Sequence, residues 1–245
     1  MATEQPTWTE SDSAGFLAFS EIITPSRSEQ LALLADLVPG EVDEAFQFVE
    51  LGCGGGLMAA YLLQRFPRAR YLGLDGSQTM LDATRDRLAT EAGRFALRAF
   101  RLEDLAGWSA GLPASIRCLF SSLVIHHLPD SEKQRLFQKA YDLLEPGGAL
   151  LLIDVVLPAL ERGQRAIGRN WEAIVREQSL SATGSLAAYN TFKQEGWNCY
   201  TDPDPIDRPA PLFAQLQWLA QAGFTGVDCF WQRGGHALFG GYKPL

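Results

Sequence analysis

Short, wholly apolar runs alternate through residues 46–156 with longer segments whose apolar residues recur every three or four places. The runs have the pattern of strands buried on both faces, and the longer segments that of helices with one apolar side. Strands are therefore predicted at 46–51, at Tyr71-Leu72-Gly73-Leu74 ending on Asp75, and at 95–100, 116–122 and 149–156. Helices are predicted over 57–66, stopped by Pro67; from a Ser77 cap through Met80, Leu81, Thr84 and Leu88 to Gly93; and after a Ser131-Glu132-Lys133-Gln134 cap, with Leu136, Phe137, Ala140, Leu143 and Leu144 inward. Glu145-Pro146-Gly147-Gly148 reads as a turn before the fifth strand. Ahead of the first strand, Ser26-Arg27-Ser28-Glu29 reads as a capping box for a helix through Leu31, Leu34, Ala35 and Val38. Gly15 to Ile23 is an amphipathic stretch able to cover a site, and residues up to about 13 read as a frayed tail.

This alternation predicts a parallel sheet with right-handed crossovers. After Leu157 the rhythm changes. A helix is predicted over 160–180, through Ile167, Trp171, Ile174 and Val175, and 185–211 reads as irregular, with Tyr189, Phe192, Trp197 and Tyr200 among Asp202, Asp204 and Asp207. An irregular insertion of that length commonly serves as a lid or a substrate wall. A helix over 212–222, ended by Gly223, and two strands at 226–232 and 236–242 joined by Arg233-Gly234-Gly235 complete the chain.

The chemistry concentrates in Phe48-Val49-Glu50-Leu51-Gly52-Cys53-Gly54-Gly55-Gly56, an apolar run that ends in an acid and breaks into glycines before a helix. Glycines there let the backbone turn tightly and approach a ligand closely, as in a nucleotide-binding βα turn. Asp75, at the end of the second strand, lies beside that loop in a doubly wound sheet, where a carboxylate can accept hydrogen bonds from both hydroxyls of a ribose. A nicotinamide dinucleotide loop is the rival reading, but its third glycine is replaced by Leu57.

Composition narrows the partners. The 245 residues suit a single core, and 21 basic against 29 acidic residues give a net charge of −8, which argues against nucleic acid and for a small-molecule substrate. The 4 cysteines and 3 histidines show no paired ligand spacing, so neither a disulfide framework nor a metal site is expected. Neither a leader nor an apolar run long enough for a membrane span is evident, so a cytoplasmic protein is expected.

These residues, in this order, resemble the class I S-adenosylmethionine-dependent methyltransferases. Val49 to Gly56 is similar to that family's first motif, Asp75 to its ribose-binding acid, Ser121 to Leu128 to its fourth-strand motif ending in His-His-Leu, and Leu144 to Gly148 to the turn before its fifth strand; Ala222-Gly223-Phe224 and the closing hairpin match its usual ending. The resemblance implies an α/β, Rossmann-like three-layer sandwich with a seven-stranded, mostly parallel sheet and an antiparallel last strand. It further implies one methyltransferase domain over 1–245, with 14–40 as an N-terminal helical cap and 157–211 as a substrate-covering insertion. The implied cofactor is S-adenosyl-L-methionine, leaving as S-adenosyl-L-homocysteine. Gly52, Cys53, Gly54 and Gly56 would line its methionine part, Glu50 would hold its amino group, Asp75 its ribose hydroxyls, and Gly76, Ser77 and Met80 would border one side of the adenine. On the other side Arg101 stands at the family's usual Asp, which leaves Leu102, Glu103 and Asp104 as the expected neighbours, and Ser121 joins the set from the fourth strand. Arg117 replaces an Asp that commonly opens that strand, at a structural position.

At the acceptor end the resemblance places His126 at the mouth of the cofactor site, as a base or an orienting group. Trp171, Tyr189, Trp197 and Tyr200, near several aspartates, would suit a cationic or aromatic acceptor, set against the plainer reading that they pack the cap. Two alternatives accompany the methyltransferase reading. The layout of Asn190-Thr191-Phe192-Lys193 and Arg208-Pro209 is similar to that of the carboxy-S-adenosylmethionine synthases, in which Arg208 would bind the added carboxylate; the other is a non-catalytic binding module. A homodimer is left open, because the apolar residues of Gly15 to Ile23 can cover the chain's own site or a neighbour's.

Overall fold

The computed structural model describes residues 8–101, 104 and 111–245; Leu102 and Glu103, two of the expected adenine neighbours, lie outside the described residues. Strand β1 (Gln47–Leu51) pairs in parallel with β2 (Arg70–Asp75) on one side and β4 (Ile116–Ser122) on the other. β3 (Phe95–Ala99) extends the sheet beyond β2, and β5 (Leu144–Val155) extends it beyond β4. β6 (Thr225–Arg233) and β7 (His236–Tyr242) form the predicted hairpin, and β7 inserts antiparallel between β5 and β6. The result is a 7-stranded sheet of order β3-β2-β1-β4-β5-β7-β6, mostly parallel with an antiparallel last strand, as expected.

Successive strand residues point to opposite faces, and both faces are covered. Phe48, Cys118, Phe120, Leu151 and Ile153 share one apolar core with α2 (Arg27–Leu37), α3 (Leu57–Arg65) and Leu81 of α4 (Gln78–Arg87). Val49, Leu51, Leu119, Leu150 and Leu152 share the opposite core with α5 (Asp130–Leu143) and α8 (Leu212–Gln221). A third core sits over the strand ends and gathers Ile23 of α1 (Glu10–Ile23), Val155, Trp171 and Val175 of α6 (Glu161–Thr183), Phe192 of α7 (Ala187–Gln194), and Tyr200.

Several local expectations are corrected. The frayed tail ends earlier than expected, because α1 begins at Glu10 behind a capping box in which the Thr9 backbone N–H donates to Asp12 and the Asp12 N–H to the Thr9 hydroxyl. That signal was present in Thr9-Glu10-Ser11-Asp12. The Ser26 box does not form: Ser26 sits at φ 50°, its N–H donates to Gln178 Oε1 at 2.8 Å, and its hydroxyl accepts from Arg233 at 2.7 Å. Tertiary partners replace the local cap. Nor does Ser131 cap α5, which starts at Asp130 after Pro129; Lys133 instead turns inward, its Nζ donating to the carbonyls of Leu128 and Arg208 at 2.6 and 2.5 Å. Glu145 to Gly148 is a bulge within β5, where the pairing with β4 shifts between Ile116 and Cys118. The stretch read as irregular contains α7, whose Ala188 and Phe192 are buried at helical spacing.

Candidate active site

The carboxyl ends of β1, β2, β4 and β5 converge where the strand order reverses between β1 and β4, which is where open α/β sheets place ligands. After Leu51 the chain bends so that the N–H groups of Gly52 and Cys53 both donate to the Leu74 carbonyl, at 2.8 and 3.0 Å. Gly52 is required there twice over: its φ is +72°, and a Cβ would stand 2.2 Å from Val124 Cγ2. At Gly54 the reason differs, since a Cβ there would meet nothing within 4 Å. Gly54 borders open space.

Asp75 ties this loop to the next element. Its Oδ2 accepts from the Gly54 N–H and its Oδ1 from the Ser77 N–H, both at 2.9 Å. Burial raises the Asp75 carboxyl above its usual range, against the pull of those amides. The Ser77 hydroxyl caps α4 as predicted, accepting from the Met80 N–H at 3.2 Å. Met80 is buried below it and Gly76 is exposed beside it. The Cys53 thiol is 4% exposed, and burial pushes its pKa up, which leaves it a packing group and not a nucleophile. Ser121 spends its hydroxyl on the Leu51 carbonyl at 2.7 Å, joining the ends of β4 and β1. Asp104 is exposed, its N–H donating to the Arg101 carbonyl at 3.0 Å.

Behind the loop a buried acid, Glu50, and a half-buried guanidinium, Arg27, sit at the strand ends. Glu50, 2% exposed, accepts from the Tyr71 hydroxyl at 2.7 Å. Burial raises its carboxyl to about 8; the Tyr71 hydrogen bond and Arg27 oppose this, and Asp75 adds to it. Arg27 reaches in from the start of α2, donating to Ser122 Oγ at 2.8 Å and Gln30 Oε1 at 3.1 Å. Burial lowers its guanidinium to about 10, opposed by Glu50 and Glu21, so it stays a cation at neutral pH. Arg27 was missing from the sequence-based set; it directly follows the left-handed Ser26.

A roof crosses the site. The carboxylate of Glu10, in the first turn of α1, accepts from Ser77 Oγ at 2.8 Å and from the N–H groups of Gln78 and Thr79 at 3.0 and 3.1 Å. Hydrogen bonds from Thr79 and Ser77 lower its pKa to about 2. Further along α1, Leu17 lies so close that a Cβ on Gly55 would stand 2.7 Å from its Cδ2. Just before α1, the ring of Trp8 lies 5.8 Å from that of His127. The start of α1 and the residue just before it therefore touch both the start of α4 and the histidine pair.

The histidines follow a strained residue, Leu123 at φ 60°, and occupy a 3-10 turn, Ile125–His127. Asp154, at the end of β5, accepts from the His126 backbone N–H at 2.9 Å and pairs with its Nδ1 at 2.5 Å. Asp207, from the insertion, places Oδ1 3.5 Å from His126 Nε2 and 3.2 Å from His127 Nδ1. Burial alone would lower the His126 pKa, but the two carboxylates outweigh it and raise it to about 10. Asp207 is correspondingly held well below the usual carboxylate range, against its burial. In this arrangement His126 is a fixed, oriented group and not a free base.

The expected acceptor residues divide. Trp171, 6% exposed, donates its Nε1–H to the Ile23 carbonyl at 2.8 Å, and its ring meets Phe192 and His236 edge-on. The Tyr200 hydroxyl lies 2.7 Å from the Val156 carbonyl and 2.9 Å from that of Gly235. Both are built into the third core, with their polar atoms taken up by backbone. Tyr189 and Trp197 sit half-buried at its fringe, and Trp197 lies against Gly15 of α1. Arg208 is exposed beside the histidines, its N–H donating to the His126 carbonyl at 2.8 Å. Among the described residues, no helix is long and apolar enough to cross a membrane.

Residues 48–148 match the model of a family described as a methyltransferase domain. That match lies over the first glycine loop through the bulge that opens β5, and the fold is that of solved S-adenosylmethionine-dependent methyltransferases. The trans-aconitate 2-methyltransferase of Azoarcus sp. (strain BH72) is 33% identical over 147 residues, which cover 60% of this chain and 50% of the relative. That of Deinococcus radiodurans is 39% identical over 104 residues, covering 42% of this chain and 36% of the relative. The chain thus spans about half the length, or less, of these curated relatives. Among solved structures, the apo S-adenosylmethionine-dependent methyltransferase SibL superposes with a TM-score of 0.62 at 21% identity, over 98% of this chain and 64% of that one. Haemonchus contortus phosphoethanolamine N-methyltransferase 2, in complex with S-adenosyl-L-methionine, gives 0.62 at 17% identity, over 97% and 58%.

Proposed function

We propose that this chain is an S-adenosylmethionine-dependent methyltransferase acting on a small-molecule acceptor through an N, O or S nucleophile. The observation that carries the reading is Asp75, a half-buried carboxylate at the end of β2 that organises a glycine loop bordering open space. The donor set suits the cofactor: Asp75 for two ribose hydroxyls, Glu50 for an ammonium, and Arg27 for the carboxylate of the same amino acid. When bound, the cofactor supplies a methyl group on a sulfonium, which a nucleophile takes by in-line displacement. The protein's share is then chiefly positioning, which can supply most of such a rate enhancement. His126, braced by Asp154, orients the acceptor, and α1 excludes water. On this reading α1 and α2 form an N-terminal cap, and 157–211 form the acceptor wall of one catalytic domain.

Calorimetric titration with S-adenosylmethionine and S-adenosylhomocysteine tests the reading, followed by S-adenosylhomocysteine release with candidate acceptors. Trans-aconitate, named by the relatives, is the first of these. A protein that binds neither nucleoside is not this enzyme. Arg27→Gln is expected to weaken S-adenosylhomocysteine binding by roughly tenfold or more, the worth of a charge-assisted hydrogen bond.

Glu50 makes the binding depend on pH. Ionised in solution above about 4.5 but holding its proton to about 8 in the folded protein, this acid contributes most to stability at low pH, and that contribution falls as pH rises from about 4.5 to about 8. An arriving ammonium favours the ionised form, so binding expels a proton. Cofactor affinity is therefore expected to rise between about pH 6 and 8, and calorimetry in buffers of different ionisation heat reads the proton directly. Glu50→Gln should flatten the profile; an unchanged profile in that variant would assign the titration elsewhere.

A further inference from the structure

The turn after β4 and the insertion meet in a cluster that methyl transfer itself does not require. His126 Nε2, His127 Nδ1 and one carboxylate oxygen of Asp207 all lie within 4.8 Å of one another. From these we infer a divalent transition-metal site of two imidazoles and one carboxylate beside the carboxyl ends of β4 and β5. A tetrahedral ion with metal–ligand bonds of about 2.0–2.1 Å needs ligand atoms roughly 3.3–3.5 Å apart. Asp207 Oδ1 stands 3.5 Å from His126 Nε2 and 3.2 Å from His127 Nδ1, so two of the three edges already have that length.

The surroundings are those of a ligand shell. A metal-bound imidazole almost always gives its other ring N–H to a carboxylate, which fixes the tautomer and aims the lone pair. Asp154 does this for His126 through Nδ1 at 2.5 Å, and it grips the same residue by the backbone N–H at 2.9 Å. His126 Nε2 is left aimed at Asp207, and ligation displaces the proton that this nitrogen shares with the carboxylate. The insertion is held in register by the Arg208 N–H on the His126 carbonyl at 2.8 Å, which fixes Asp207 opposite the pair. His127 Nδ1 has a weaker alternative partner, the Ile206 carbonyl at 3.3 Å, and it gives this up on ligation. The two imidazole rings lie side by side, with their centroids 4.1 Å apart. Two imidazoles and one carboxylate favour Zn2+, Co2+ or Ni2+ over Mg2+ or Ca2+. Three protein ligands leave the fourth position to water or to an oxygen of the acceptor. His126 and His127 are partly open, with side chains 10% and 22% exposed, so an ion can enter.

The inference concerns binding, and its test needs no turnover. The full chain, stripped with a chelator, is titrated with Co2+ and followed by visible absorption and calorimetry. The expected result is one equivalent bound, with the intense band of a four-coordinate ion. Asp207→Asn and His127→Ala should each weaken binding by at least about tenfold with an unchanged circular dichroism spectrum, and Asp154→Asn, which touches no metal, by about 10–100-fold. The absence of saturable binding would overturn the proposal, as would equal Co2+ affinity in Asp207→Asn and the parent chain; the cluster would then be an ion pair only. S-adenosylhomocysteine affinity, measured on the same samples, reports on the cofactor reading separately, so the two can fail independently.

Discussion

Asp75→Ala is expected to reduce S-adenosylhomocysteine affinity by about 10–100-fold, the equivalent of roughly 1.5–3 kcal/mol for hydrogen bonds to a charged group. The carboxylate offers two hydrogen-bonding oxygens to a ribose, and in the ligand-free chain those oxygens are held in place by the amides of Gly54 and Ser77. Its removal therefore costs the ligand its partners and also releases the glycine loop from the start of α4. Asp75→Asn separates the two effects, because the amide retains one acceptor oxygen but loses the charge. Its affinity is expected between that of Asp75→Ala and the parent. Calorimetry at fixed pH and salt gives the values, and thermal melts of the ligand-free variants check the fold. An Asp75→Ala protein that binds as tightly as the parent would remove the residue on which the cofactor assignment rests.

The second large effect is on stability. Trp171→Ala is expected to lose about 3–5 kcal/mol in urea unfolding, the usual cost of emptying a large aromatic site. The ring lies between Phe192, Tyr200 and His236, and its truncation also strips the Ile23 carbonyl of its donor. Trp171→Phe keeps most of the volume and should lose less. Trp197→Ala, at the half-buried fringe, is the contrasting case: a smaller loss of stability, with weaker acceptor binding once an acceptor is known. If Trp171→Ala instead left stability intact and changed only acceptor binding, Trp171 would face the ligand and the third core would be misread.

The two tryptophans also show what could be read from the chain alone. Parallel strands buried on both faces leave unbroken apolar runs, so β4 emerges at its observed bounds, Ile116–Ser122, and the closing hairpin within a residue or two. The glycine loop and Asp75 were legible because their chemistry is local, with each residue defined by its neighbours in sequence. Capping boxes proved ambiguous. Thr9 to Asp12 formed one unnoticed, whereas Ser26 was drawn away by Gln178 and Arg233, partners from distant segments. Arg27, Glu10 and Asp207 acquire their roles only where separate segments meet, and no period or spacing marks them. Asp207 stood among other aspartates as general negative charge until the turn that binds the Arg208 N–H set it against two particular imidazoles.

The reach of α1 ties separate parts of the site together. Its first turn is clasped to α4 through Glu10, its middle rests on the glycine loop through Leu17, and Trp8 just ahead of it approaches His127. The short stretch from Trp8 to Leu17 thus touches the start of α4, the glycine loop and the histidine turn together. Thr24 and Pro25 alone separate α1 from the strained Ser26. The cap and the Arg27 side chain that reaches Ser122 are therefore parts of one continuous stretch of chain.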